Sequence, residues 1–139
     1  MVIDAANVVG SVPDGWWRDR AGAASRLLTS VQGWDADGVA PGGLLAEVAG
    51  RTRAWPDWVV VLEGAARAAV VLHDTPTTEK PREPSVSVVR ADGSGDDAIV
   101  EVTRGLVADG THVTVVTADR ELRSRVTDVG AGCAGPGTL

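Results

Sequence analysis

His112-Val113-Thr114-Val115-Val116-Thr117-Ala118-Asp119-Arg120-Glu121-Leu122 is the most telling stretch of this chain. Its first half is rich in β-branched residues, the make-up of a strand covered on both faces. An acid then stands at the strand's end, and a helix follows from Asp119 to about Val129. Strand, acid, helix is the order expected of parallel strands joined through helices. The same order opens the chain, in Val2-Ile3-Asp4-Ala5-Ala6-Asn7. A third acidic segment, Gly93-Ser94-Gly95-Asp96-Asp97-Ala98-Ile99, follows the strand Val86-Ser87-Val88-Val89 and opens a helix to about Ala108.

The rest of the chain fits between these signatures. Trp58-Val59-Val60-Val61-Leu62 is a continuous apolar run and predicts a buried strand. Asp14 is placed to start a helix near Trp16 that runs to about Gln32, with Trp16, Ala23, Ala24, Leu27, Leu28 and Val31 as its core stripe. Gly33 to Gly43 reads as a loop, and Leu44 to Ala49 as a short helix ended by Gly50. Gly64 to Arg67 turns, Ala68 to Leu72 is a helix piece or an edge strand, and His73 to Pro84 is a Pro-rich loop. Ala131 to Ala134 is a small final strand. The whole predicts one α/β domain over residues 1–139, with a mostly parallel sheet of four to five strands flanked by helices.

Composition narrows the setting. Val, Ala and Leu dominate the apolar residues, Phe and Tyr are absent, and five Trp supply all the aromatic surface. The single Cys133 cannot form an internal disulfide and reads as a small buried hydrophobe. Met1-Val2-Ile3 enters a strand at once, so neither a signal peptide nor a membrane span is expected, and a reducing, cytoplasmic location is. The formal charge of −6 is unlike that of most nucleic-acid binders, yet carboxylates clustered around a cation would count for less. Arg carries nearly all the positive charge, Lys80 being the one lysine, and its planar fork suits phosphate.

In an open parallel sheet the carboxyl ends of the strands gather at one edge, where ligands bind. Acids collected there repel one another unless a cation lies between them, and a hard divalent ion prefers oxygen ligands. On this argument Asp4, Asp96 and Asp119 are candidate metal ligands, with Glu63, directly after Leu62, and Asp97 in support. Each has a structural alternative. An Asp4-x-x-Asn7 turn satisfies its own backbone, Ser94 and Asp97 match a capping box, and Asp119 suits a helix N-cap. Asn7 is expected to orient Asp4 or a water, and Thr117 to cap or to hold a water. Arg67, Arg120, Arg123 and Arg125 lie near the same edge, and Arg18 and Arg20 flank Trp16-Trp17, a pair that would stack a base or, more simply, pack the helix onto the sheet. His73 and His112 lack metal-ligand spacing.

Together the signatures resemble those of the NYN domains, a branch of the PIN-like nucleases, and especially the YacP-like group of bacterial ribonuclease-related proteins. That family's first motif, Asp-Gly-x-Asn with an apolar residue and Gly, reads here Asp4-Ala5-Ala6-Asn7-Val8-Val9-Gly10. Its strand ending in an acid and a small residue is Leu62-Glu63-Gly64; its acid opening a helix is Asp96 with Ile99; its Thr-x-Asp is Thr117-Ala118-Asp119. Ala5 stands where Gly is usual and Glu63 where Asp is commoner. The resemblance implies a three-layer PIN-like, Rossmann-like fold, a pocket for Mg²⁺ or Mn²⁺, and RNA cleavage. A metal-dependent endoribonuclease is therefore expected, with RNA as partner, Arg67, Arg120, Arg123 and Arg18 on the substrate, and a protein partner or homodimer as a further option. The alternative is a PIN-like module that binds RNA or protein with little turnover. A phosphatase or receiver domain fits less well, because Asp4 has no second acid on its loop and Lys80 sits in a Pro-rich segment.

Overall fold

A computed structural model describes residues 1–39, 53–71 and 85–139. The helix expected over Leu44 to Ala49 and the loop His73 to Pro84 lie outside the described residues. Five strands, β1 (Val2–Asp4), β2 (Trp58–Leu62), β3 (Val86–Arg90), β4 (Thr114–Val116) and β5 (Gly132–Ala134), form one sheet. Its order is β3-β2-β1-β4-β5, and every pairing is parallel. β1 is central: Val2, Ile3 and Asp4 pair with Val59, Val60 and Val61 on one side, and Val2 and Ile3 with Val115 and Val116 on the other. The chain thus builds outward from β1 in both directions, and the order reverses between β1 and β4.

Helices cover both faces: α1 (Ala5–Gly10) and α2 (Arg20–Asp37) on one, α3 (Gly95–Ala108) and α4 (Arg120–Asp128) on the other. Strand side chains alternate between faces, so each strand feeds two cores. Ile3, Val60, Leu62 and Val116 pack with Leu27, Leu28, Val31 and Trp58, whereas Val2, Val61 and Val115 pack with Ile99, Val100, Leu122 and Val126. Burying each such side chain stabilises the fold by roughly 1.5–3 kcal/mol. The stripe predicted for α2 is the buried one, at Ala23, Ala24, Leu27, Leu28 and Val31.

As the strand-acid-helix order expects, the Asp4-to-Asn7 turn is the first turn of a helix, α1, with Asp4 as N-cap. Other boundaries differ from expectation. The helix expected from Trp16 is split: Trp16–Arg18 is a short 3₁₀ turn entered through Gly15 at φ +81, and α2 begins afresh after Asp19, whose carboxylate accepts from Gly22 N at 2.8 Å. Asp19 is the stronger helix start, because a Cβ at position 22 would collide with its carboxylate and Gly22 has none. At its other end α2 runs through Gly33, which costs a helix only about 1 kcal/mol, and stops at Gly38. There a Cβ would stand 2.7 Å from the Trp55 ring. Gly64–Ala68 is a 3₁₀ turn, so Ala68 to Val71 supplies no edge strand. Cys133 on β5 is half-buried rather than buried, with Sγ 3.7 Å from the Arg123 carbonyl. Among the described residues no helix is long and apolar enough to cross a membrane.

Candidate functional site

Strand register puts the first two members of the site side by side. Ile3 is opposite Val116, so the next step along both strands brings Asp4 against Thr117. Thr117 Oγ1 donates to Asp4 Oδ2 at 2.8 Å and accepts from Asp119 N at 3.1 Å. One wholly buried hydroxyl therefore joins the acid ending β1 to the acid following β4. Asn7, a turn into α1, donates its backbone N to Asp4 Oδ1 at 3.1 Å and its Nδ2 to Asp4 Oδ2 at 2.7 Å. Asp4 is only 4 % exposed. It accepts three hydrogen bonds out of the roughly four a carboxylate can take, which leaves room for one further partner.

The remaining acids arrive from neighbouring strand ends. Glu63 follows β2, and its Oε2 accepts from Gly95 N, the first amide of α3, at 2.8 Å. That contact needs glycine: a Cβ at position 95 would lie 2.6 Å from Glu63 Oε2. Gly95→Ala is expected to push Glu63 off this amide and lower stability by about 1 kcal/mol, read as a fall in Tm. Asp119 Oδ1 accepts from Leu122 N at 2.8 Å and caps α4. Asp4 and Asp119 are thus both helix N-caps, and Asp96 lies in the first turn of α3. Three helix N-termini direct partial positive charge toward the acids, which is how an uncompensated cluster of carboxylates is tolerated.

Asp96 registers the crowding. Burial, first, and the Asp4, Asp119 and Glu63 carboxylates after it push the Asp96 carboxyl above its usual range, against a smaller pull from Arg125. The folded protein therefore holds the Asp96 proton to higher pH than the unfolded chain, and in metal-free buffer stability falls as pH rises from the ordinary value of 3.8 through the raised one. Asp96→Asn carries no charge to repel, and in EDTA at neutral pH it is expected to raise Tm by roughly 1–3 °C, a small shift because the side chain is partly solvated. A lower Tm would show that the favourable dipole interaction in α3 outweighs the repulsion.

The structure gathers Asp4, Asn7, Glu63, Asp96, Thr117 and Asp119. Thr117, expected to cap or to hold a water, caps the Asp119 amide with its Oγ1 and donates to Asp4, with one lone pair of the hydroxyl left over. Asp97, expected to support the metal, turns its carboxylate to Arg125 Nη2 at 2.6 Å, while its amide takes the Ser94 cap at 3.4 Å. Of the arginines expected on the substrate, Arg67 stands 3.8 Å from Asp92, and Arg18, Arg120 and Arg123 are exposed. Among the described residues, Arg125, outside that expected set, is the cation whose charge reaches Asp96.

Oxygen donors of net negative charge suit a hard divalent cation. Among the described residues, however, no group of three His, Cys, Asp or Glu side chains is arranged to hold a metal ion. Mg²⁺ commonly binds through one or two carboxylates and keeps several waters, a mode that needs no closed cage.

No protein-family model matches the chain, and no curated protein matches it in sequence. The crystal structure of a tryptophan-to-leucine mutant of Rae1 (YacP) from Bacillus subtilis is similar in fold, with a TM-score of 0.61 at 15 % identity. The match covers 98 % of this chain and 69 % of that one. The chain thus shares its fold with a YacP protein.

Proposed function

We propose that this chain is a divalent-metal-dependent phosphodiesterase that cleaves RNA. The observation that carries the reading is the meeting of Asp4, Glu63, Asp96 and Asp119 where the strand order reverses, the place at which open parallel sheets bind ligands. The YacP-like motifs in the sequence and the YacP fold support the same reading. Mg²⁺ or Mn²⁺ would be held by Asp4, Asp96 and Asp119, directly or through water, with Glu63 beside them. The chemistry such a cation supplies when bound is charge on a phosphoryl oxygen and a more acidic water.

The chain's own residues do the rest. Asn7 and Thr117 hold Asp4 in one rotamer, so its one uncommitted lone pair has a fixed direction. Glu63 is anchored on the Gly95 amide, next to Asp96 in the chain. Arg125 adds positive charge near Asp96, where a phosphate would otherwise meet only carboxylates.

The open arrangement of the acids favours one second reading, an RNA-binding module of the same fold with little turnover. Labelled RNA incubated with Mg²⁺, Mn²⁺ or EDTA, beside an Asp4→Asn/Asp119→Asn variant, separates the two. Metal-dependent cleavage lost in the variant is the expected result. RNA retained but uncut by the wild-type protein would overturn the enzymatic reading in favour of the module.

A further inference from the structure

Trp16 and Trp17 do not pack a helix onto the sheet. Trp17 is 57 % exposed, and Trp16, half-buried, belongs to neither core, unlike Trp58 at 1 % exposure. Trp16 instead forms a wall of a cleft of about 70 Å³, together with Ala5, Ala6, Arg20, Glu63 and Gly64. The Arg20 guanidinium lies 5.5 Å from the centre of the Trp16 ring, and Trp17 meets that ring edge-on at 6.2 Å.

The position of the cleft matters as much as its lining. Ala5 and Ala6 are the two residues after Asp4, and Glu63 is bonded to the amide of Gly95, next to Asp96. The cleft therefore opens directly beside the acids. Its walls are the Trp16 ring, the planar Arg20 cation over it, the Glu63 carboxylate, Val9 and residues with little or no side chain, a combination that suits a flat polar ring.

We infer that this cleft is a stacking subsite for one nucleobase of single-stranded RNA, adjoining the phosphate held at the acids. The Arg20 guanidinium already lies over the Trp16 ring, so a base would enter by displacing it from that face and stacking between the two planes. A base in a duplex is already stacked and paired, so the subsite selects unpaired strands. The inference rests on the RNA-cleaving reading above and adds to it a base-stacking wall beside the acids.

The test is anisotropy of a short labelled single-stranded RNA, with Ca²⁺ replacing Mg²⁺, against wild type, Trp16→Ala and Trp16→Phe, alongside cleavage of the same RNA in Mg²⁺. Trp16→Ala is expected to weaken binding roughly tenfold, with most of the loss restored by Phe. An abasic residue at one position of the RNA should weaken wild type but not Trp16→Ala. Should Trp16→Ala lower Tm, Ala6→Leu fills the cleft from an exposed position of α1 and should weaken binding likewise. Wild-type binding and cleavage with no change in these variants would overturn the subsite and leave the nuclease reading standing. RNA neither bound nor cut by the wild-type protein would overturn both.

Discussion

Asp4→Asn is expected to reduce metal-dependent RNA cleavage by roughly 100-fold or more, the scale seen when a charged partner of the reacting phosphate is removed. Asparagine keeps the shape of the side chain and removes its charge. It also replaces an acceptor with a donor where Asn7 Nδ2 and the Thr117 hydroxyl already donate. One buried donor is left facing another, so a stability loss of about 1–3 kcal/mol is expected as well. The two effects are separable by measuring cleavage well below the variant's own Tm and by adding Mn²⁺. A folded variant that cuts RNA at the wild-type rate would remove Asp4 from the chemistry and leave it as the cap of α1.

Thr117→Val is expected to cost cleavage roughly 10- to 100-fold, in the range of residues that orient a ligand without touching the metal. The substitution is nearly isosteric at a wholly buried position, so packing is preserved. What is lost is the hydroxyl between Asp4 and the Asp119 amide, leaving that amide unpaired at a cost of about 1–2 kcal/mol. Thr117→Ser restores the hydroxyl and should restore most of the activity. If the divalent-ion concentration for half-maximal rate rises in Thr117→Val and returns in Thr117→Ser, the hydroxyl acts through the carboxylates. An unchanged metal dependence with a lower maximal rate would instead assign it to the attacking water.

The acids are legible in the order of residues because each stands at a boundary. A carboxylate between an apolar run and a helix is placed there by local rules, and those rules read the same in Asp4, Asp96 and Asp119. Local rules also misplace some features. The long helix α2 starts at Asp19 rather than Asp14, because two acids compete for one helix start and only Asp19 has a glycine three residues on. The capping box of Ser94 and Asp97 is readable, yet the ion pair of Asp97 with Arg125 is not, since it joins α3 to α4.

From the order of residues alone come the α/β class, the parallel strands, the stripe of α2 and the candidate acids, all of which follow from periodicity and from residues adjacent in the chain. Tertiary packing alone supplies the strand order, which places β1 between β2 and β4 and so brings residues 4, 63, 96 and 119 to one edge. It alone gives Thr117 its partner, 113 positions away, and turns Trp16 from an expected core residue into the wall of a cleft. Sequence spacing encodes which face of an element is apolar; which elements meet depends on how those faces are buried against one another across the whole sheet.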